Sequence, residues 1–281
     1  MAEEFSIERM SESDVHTALD WALREGWNPG LSDAQCFYQA DPKGFFKGIL
    51  EGEVIATGAG VVYDENYAFC GLYIVKPEFR SQGYGIQLTQ ERLKYVGDRI
   101  TGLDGVLDKV SKYQRLGYVS AHKNSRFELK NPISVSNSSK VIDLKTIPFE
   151  ELEKFDRKYF PAPRSAFLRC WINQAHSIAL GYLEGNRLQG YGVIRKCHEG
   201  YKIGPLFAES PVIAESIFET LISKVFEGPI YLDVPEINLN AQALVKKYGM
   251  LPKFEVIRMY RNGTPDIDMQ GIYGITTFEL G

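Results

Sequence analysis

The chain repeats itself. Residues 48–62 read GILEGEVIATGAGVV and residues 181–194 read GYLEGNRLQGYGVI, so Leu50-Glu51-Gly52 stands against Leu183-Glu184-Gly185. Further on, YAFCGLYIV (67–75) matches YKIGPLF (201–207), with Gly71 facing Gly204. Leu116-Gly117-Tyr118 then matches Tyr248-Gly249-Met250. Three correspondences in one order, at an offset of about 132–133 residues, fix the organisation before any local pattern is read. The unit is duplicated. A length of 281 residues suits two units of about 140 each. The boundary falls in KNPISVSNSSK (130–140), where Pro132 and the Ser/Asn cluster favour turns. The expected division is a first domain at 1–130, a linker at 131–140 and a second domain at 141–281.

Within each half the pattern predicts helix, hairpin, strand, helix, strand, helix, strand. The acidic-glycine turns at Glu51-Gly52 and Glu184-Gly185, flanked by apolar runs, are hairpin signals. In SESDVHTALDWALREG, Val15, Ala18, Leu19 and Ala22 share one helical face, with Ser11 or Ser13 as cap. In GYGIQLTQERLKYVGDRI, Ile86, Leu88, Leu93 and Val96 are the expected core anchors. The fold class is mixed α/β, sheet and helices packed in layers.

Composition excludes some functions. A net charge of −4 gives no general affinity for nucleic acid, which needs clustered Lys and Arg. No apolar run approaches the ~20 residues that span a bilayer, and the opening MAEEFSIERM lacks the layout of a signal peptide. A cytoplasmic protein without a membrane or nucleic-acid partner is expected. Cys36, Cys70, Cys170 and Cys197 form no C-x-x-C pair and read as reduced structural thiols. His16, His122, His176 and His198 have no metal-ligand spacing, so no metal is expected.

The informative segment is YIVKPEFRSQGYGIQLTQERL (73–93). An apolar strand ends near Lys76-Pro77, the loop Arg80-Ser81-Gln82-Gly83-Tyr84-Gly85 follows, and a helix begins. Such a turn aims consecutive N–H groups at one point beside a helix N-terminus, where a pyrophosphate fits. Glycine at 83 and 85 removes side chains from the approach, and Arg80 adds a full charge. A bare G-x-G is as readily a tight turn. The dinucleotide fingerprint is absent because position 88 is Leu, and no G-K-S/T follows.

The run V-x-P-x-x-R-x-x-G-x-G, Val75 to Gly85, resembles the coenzyme A signature of the GNAT acetyltransferase superfamily. The resemblance implies that amides from Gln82 to Ile86 hold the pyrophosphate and that Tyr73, Ile74 and Val75 run along the pantetheine. It also implies a nearby amide polarising the acyl carbonyl. The coenzyme set is thus Tyr73, Ile74, Val75, Arg80, Ser81, Gln82, Gly83, Tyr84, Gly85 and Ile86, with acetyl-CoA as co-substrate. Further stretches, EGWNPG (25–30), LDGV (103–106), FPAPRSAFL (160–168), LDVPEIN (232–238) and GITTFELG (274–281), are similar to the tandem branch grouped with bacterial holothin-acyltransferase-type proteins. The second copy offers Ile213-Ala214-Glu215-Ser216-Ile217-Phe218 at the loop position, without glycine and with an acid for a base. It reads as degenerate, shaping the acceptor site.

KYQRLGY (112–118) resembles the family's Y-x-x-x-G-[FY] element, which implies that Tyr113 protonates the leaving sulfur. A thiol near pKa ~8.5 against ~10 for tyrosine makes that transfer uphill by about 2 kcal/mol. Relatives often carry an Asn one turn earlier, where this chain has Leu107-Asp108. No general base presents itself, because residues 67–75 contain no carboxylate; Asp104, Asp108, Glu128 and His122 are the alternatives. Deprotonating a lysine-like amine (pKa ~10.4) at pH 7 costs roughly 4.6 kcal/mol, so an amine of lower pKa suits a site without a base. Trp27 and Asn28, with Arg164, are expected to contact the acceptor, a small-molecule or peptide amine. The rival reading is a non-catalytic acyl-CoA-binding or sensing protein.

Overall fold

The structure is a computed structural model describing residues 5–130, 138–225 and 227–281. Most of the expected linker, 131–137, lies outside the described residues. The first copy runs β1 (Phe5–Arg9), α1 (Glu12–Arg24), α2 (Asp33–Ala40), β2 (Phe45–Leu50), β3 (Glu53–Val62), β4 (Tyr67–Val75), α3 (Tyr84–Val96), β5 (Ile100–Val106), α4 (Val110–Gln114) and β6 (Val119–Leu129). The second repeats that order as β7 (Val141–Asp143), α5 (Phe149–Asp156), α6 (Ser165–Asn173), β8 (Ser177–Glu184), β9 (Arg187–Lys196), β10 (Tyr201–Ala208), α7 (Pro211–Ile222), β11 (Ile230–Pro235), α8 (Leu239–Lys247) and β12 (Leu251–Arg261). A short β13 (Ile272–Gly274) has no counterpart in the first copy.

Local signals place the first helix as expected. Ser11 caps α1 by accepting from Asp14 N while Asp14 reaches back to Ser11 N, and Val15, Ala18, Leu19 and Ala22 are buried. In α3, Leu88 and Val96 are buried and Leu93 half-buried, but Ile86 is 47% exposed. Ile86 faces a cavity, not the core.

The two copies build one sheet, ordered β1-β2-β3-β4-β5-β12-β6-β11-β10-β9-β8-β7, with β13 beside β10. The last strands are exchanged: β12 of the second copy lies against β5, and β6 of the first lies against β11. The sequence division near residue 130 is therefore not a division in space. The pattern predicts a closing strand in each half, but strand propensity carries no information on which neighbour it chooses.

Helices α2 and α6, equivalent in the repeat, pack on each other across the junction, with Phe37 stacked on Trp171 at 6.1 Å. Cys36 and Cys170 sit at this contact and form a disulfide, Cα–Cα 5.2 Å. The expectation of four reduced thiols is corrected; only Cys70 and Cys197 are free. Two cysteines 134 residues apart carry no pairing spacing, yet that separation nearly equals the repeat offset, so folding brings them together at the junction of the copies.

Parallel strands in each copy pair briefly and then splay. Pairing of β4 with β5 ends at Cys70 and Leu103, and that of β10 with β11 ends at Ile203 and Leu232. In the second copy the gap is filled: β13 pairs with β10, and Ile275 N donates to Asp233 O. In the first copy the gap opens into a cavity.

Candidate active site

The cavity holds about 950 Å³ between the splayed ends of β4 and β5, walled by α3, α4 and the C-terminal stretch. Such a volume suits a drug-sized ligand or larger. At its mouth the chain leaves β4 through a short 3₁₀ turn and enters α3 with Ser81 at φ 65° and Gly83 at φ 91°. Left-handed residues alternating with right-handed ones turn successive N–H groups to one side, forming an anion-binding concavity. Among the described residues the N–H groups of 81–86 have no acceptor, and the first helical bond is Gln87 N to Gly83 O at 3.4 Å. A Cβ on Gly83 would meet nothing within 4 Å, so the space beside it is open.

Gly85 has another reason. A Cβ there would lie 2.2 Å from Tyr73 Oη and 3.1 Å from Val75 Cγ2. It lets α3 press onto β4, which is packing inside the protein, not room for a phosphate. Arg80 lines the mouth with its Nε on Val75 O at 2.8 Å and its Nη2 on Glu25 at 2.5 Å. It is therefore already engaged, although its side chain is 46% exposed. Gln82 turns its amide onto Glu78 O at 2.8 Å, and Tyr84 packs against Phe5 and Phe79, so neither side chain lines the cavity. Lys109, Lys112 and Arg115 add cations at the rim, a contribution sequence reading missed.

Along the inner wall Tyr73, Ile74 and Val75 follow one another beside the cavity. Between Gly71 and Ile74 the register with β3 shifts, so that Leu72 and Tyr73 together oppose Gly58. This is a bulge, with Leu72 at φ 48° and its carbonyl held by Thr57 Oγ1 at 3.2 Å. Arg92, buried on α3, donates to Ala59 O and lies over the Tyr73 ring at 4.6 Å. An arginine on the inner face of an amphipathic helix was its sequence signal.

Tyr113 lines the cavity, its ring over the backbone of Gly105, where a Cβ would sit 2.9 Å away. Burial pushes its phenol up, and Arg92 partly offsets this. Tyr118, in edge contact with Tyr113, is held well above the ordinary range by burial and by the neighbouring Cys70.

The other expected site residues divide. Trp27 lines the cavity; its carbonyl accepts from Arg126 at 2.9 Å. Asn28 lies outside it and clamps the Glu199 backbone through both amide atoms at 2.9 Å, tying the first copy to the β9–β10 turn. Arg164 does not reach the cavity. It is 5% exposed, bonded through two nitrogens to Asp156 at 2.7 and 2.8 Å, and to Thr276. A Pro-Arg-Ser loop reads as exposed until the buried Asp156 is seen.

The candidate bases are similarly spoken for. Asp104 is buried between Arg258, at 2.7 and 2.8 Å, and Asn124 at 2.9 Å. Asp108 is exposed and paired with Lys109. Glu128 pairs with Lys253 at 3.0 Å. His122 lines a separate, small cavity beside Arg258, and burial with that arginine's charge lowers its pKa to about 3.

The model of the acetyltransferase (GNAT) family matches residues 13–118, and an acetyltransferase (GNAT) domain model matches 152–274. Holothin acyltransferase from Pseudoalteromonas sp. (strain SANK 73390) is 30% identical over 263 residues, covering 93% of this chain and 90% of that protein. Among solved structures, a Pyrococcus horikoshii protein assigned as an acetyltransferase superposes with a TM-score of 0.84 at 22% identity, covering 99% and 96% of the two chains. A tandem GNAT protein of the clavulanic acid biosynthesis pathway gives 0.65 at 13% identity over 94% and 100%. Two family domains meeting in one exchanged sheet, with one open splay and one filled, place this chain in the GNAT acetyltransferase family as a tandem N-acyltransferase.

Proposed function

We propose that the first copy binds acetyl-coenzyme A and passes its acetyl group to a primary amine of a small molecule or peptide. The observation that carries this is the run of six unpaired N–H groups, 81–86, at the mouth of a cavity that leads past the β4 bulge to Tyr113. Backbone donors at a helix N-terminus suit a diphosphate, and the rim cations Arg80, Lys109, Lys112 and Arg115 suit its remaining charge. Tyr73, Ile74 and Val75 would flank the pantetheine, and the bulged Leu72–Tyr73 backbone would offer the acyl oxygen a donor.

The acceptor would enter between Trp27 and the side chains that the second copy contributes, Phe254, Val256 and Phe278. Its nitrogen attacks the thioester carbon, the C–N bond forms and the C–S bond breaks. Tyr113 then gives its phenolic proton to the sulfur. Its raised pKa keeps that proton in place at neutral pH and makes the transfer more uphill than the ~1.5 units separating free tyrosine from a thiol. The reaction ties the protein to the cytoplasm, where acyl-coenzyme A is held. A disulfide in that compartment forms against a reducing poise.

The test is Gly83→Val. At φ 91° a β-branched residue is strained, so the loop must rearrange, while the surrounding packing is untouched because nothing lies within 4 Å. Coenzyme A affinity by calorimetry should fall at least about 100-fold, or roughly 2.7 kcal/mol, with an unchanged melting profile. Unchanged affinity would remove the loop from the site.

A further inference from the structure

We propose that Glu279 is the carboxylate that takes the proton of the acceptor's ammonium group, supplied to the first copy's site by the C-terminal stretch of the second. This rests on the reading of the cavity above and extends it to the group strand β4 lacks.

Four acidic residues line the cavity: Glu25, Asp104, Asp108 and Glu279. Glu25 is held by Arg80 at the phosphate end, Asp108 by Lys109 at the rim, and Asp104 by Arg258 and Asn124. Glu279 alone among these has no hydrogen bond or ion pair among the described residues, though it is only 4% exposed. It lines the cavity together with Phe278 and Trp27.

Its position is built by glycine. A Cβ on Gly71 would lie 1.9 Å from the Glu279 carbonyl oxygen, so only glycine lets the stretch cross β4 there, one residue before the bulge at Leu72. The stretch is anchored on both sides: Tyr63 Oη donates to Leu280 O at 2.8 Å, and Leu280 N donates to Thr277 Oγ1 at 2.9 Å. Arg126 of β6, Arg195 of β9 and Lys202 of β10 feel the charge of Glu279. Asp33, Asp233 and Cys197 stand among those cations. An ammonium entering past Trp27 thus meets one carboxylate with no hydrogen bond or ion pair of its own, carried on a stretch that crosses β4 next to the bulge. Proton transfer, R–NH3⁺ to the Glu279 carboxylate, leaves the neutral amine that attacks. The second nitrogen proton leaves as the C–N bond forms and restores Tyr113, while Glu279 releases its own to solvent.

The experiment compares unaltered protein, Glu279→Gln and Glu279→Asp for coenzyme A affinity by calorimetry and for thiol release from acetyl-CoA. The acceptors are a strongly basic alkylamine series and a weakly basic aromatic amine series. With alkylamines kcat/KM should fall about 100-fold in Glu279→Gln, the usual scale for a lost general base, and by less in Glu279→Asp. With aromatic amines, already neutral at pH 7, the loss should shrink to a few-fold, and coenzyme affinity should not change. Equal losses on both amine classes, lost coenzyme affinity, or an unaltered rate in Glu279→Gln would each overturn the assignment. The coenzyme titration of the unaltered protein judges the cradle separately.

Discussion

Gly83 and Gly85 are two residues apart and serve different needs. Gly85 lets α3 touch Tyr73, whereas Gly83 supplies a left-handed turn beside open space. Tyr113 can be separated from both. Tyr113→Phe removes one oxygen and leaves the ring on Gly105, so turnover should fall about 100-fold or more while coenzyme affinity stays within about twofold. Steady-state rates and calorimetry check this, and a wild-type rate would give the proton transfer to another group. His122 yields a stability prediction. Its pKa, lowered to about 3 from 6.5, means the unfolded chain binds a proton that the folded chain refuses between those values. Its contribution is fully present above pH 6.5 and is lost as pH falls towards 3. The melting temperature of His122→Gln should decline less from pH 6.5 to 4 than that of the unaltered protein. Parallel curves would mean the imidazole has a partner when charged. Sequence made the loop and Tyr113 legible because their geometry is local, a strand end, two glycines and one helix turn. Arg164 and Asn28 were misjudged because their partners, Asp156 and the Glu199 backbone, become neighbours only on folding. Glu279 escaped for the same reason, since nothing near it in sequence marks it as crossing β4.

Between elements, the exchange of β6 and β12 is fastened by charge inside the sheet. Arg126 on β6 holds Asp233 on β11 through two bonds of 2.7 and 2.8 Å, with side chains 5% and 1% exposed. Burial works to raise the Asp233 pKa, but the Arg126 charge and hydrogen bonds outweigh it and leave the carboxyl below its ordinary value. Removing one partner strands a buried charge. Arg126→Met should therefore lower unfolding free energy by about 3–5 kcal/mol, and Arg126→Met with Asp233→Leu should recover much of that. Denaturant titration checks both, and an additive double variant would show that the two side chains do not act as a pair. Sequence could not expose this fastening, because the alternation of β6 and β11 is the same whichever strand lies alongside. The sequence-derived reading of α7 as an ordinary helix start at Pro211 agrees with its geometry: no left-handed residue precedes it, and Glu215 is engaged by Tyr248 and Lys247.

At the scale of the molecule the duplication was plain in the sequence, but the way the copies share parts was not. The core that holds α1 and α2 continues into Phe167, Trp171 and Tyr191 of the second copy, and the stretch after β13 fills one splay before walling the other. A chain cut within 131–137 should behave accordingly. The fragment ending at residue 130 keeps the whole 80–86 loop, yet β5 and β6 lose β12 and the cavity wall loses Phe254, Phe278 and Glu279. Exposing that much apolar and unpaired edge is unfavourable, because each large buried side chain contributes about 1.5–3 kcal/mol and an open strand edge invites pairing with other chains. Each fragment alone should aggregate or lack cooperative melting. Co-expressed, they should assemble one-to-one and bind coenzyme A, as judged by gel filtration and calorimetry. A first fragment that melts cooperatively and binds coenzyme by itself would mean that the exchanged strand contributes little, and that the second copy is an addition to a self-sufficient domain. The filled splay argues the other way. There β13 and Ile275 occupy the gap between β10 and β11, and the residues that follow wall the first copy's cavity, so the two copies share one continuous stretch.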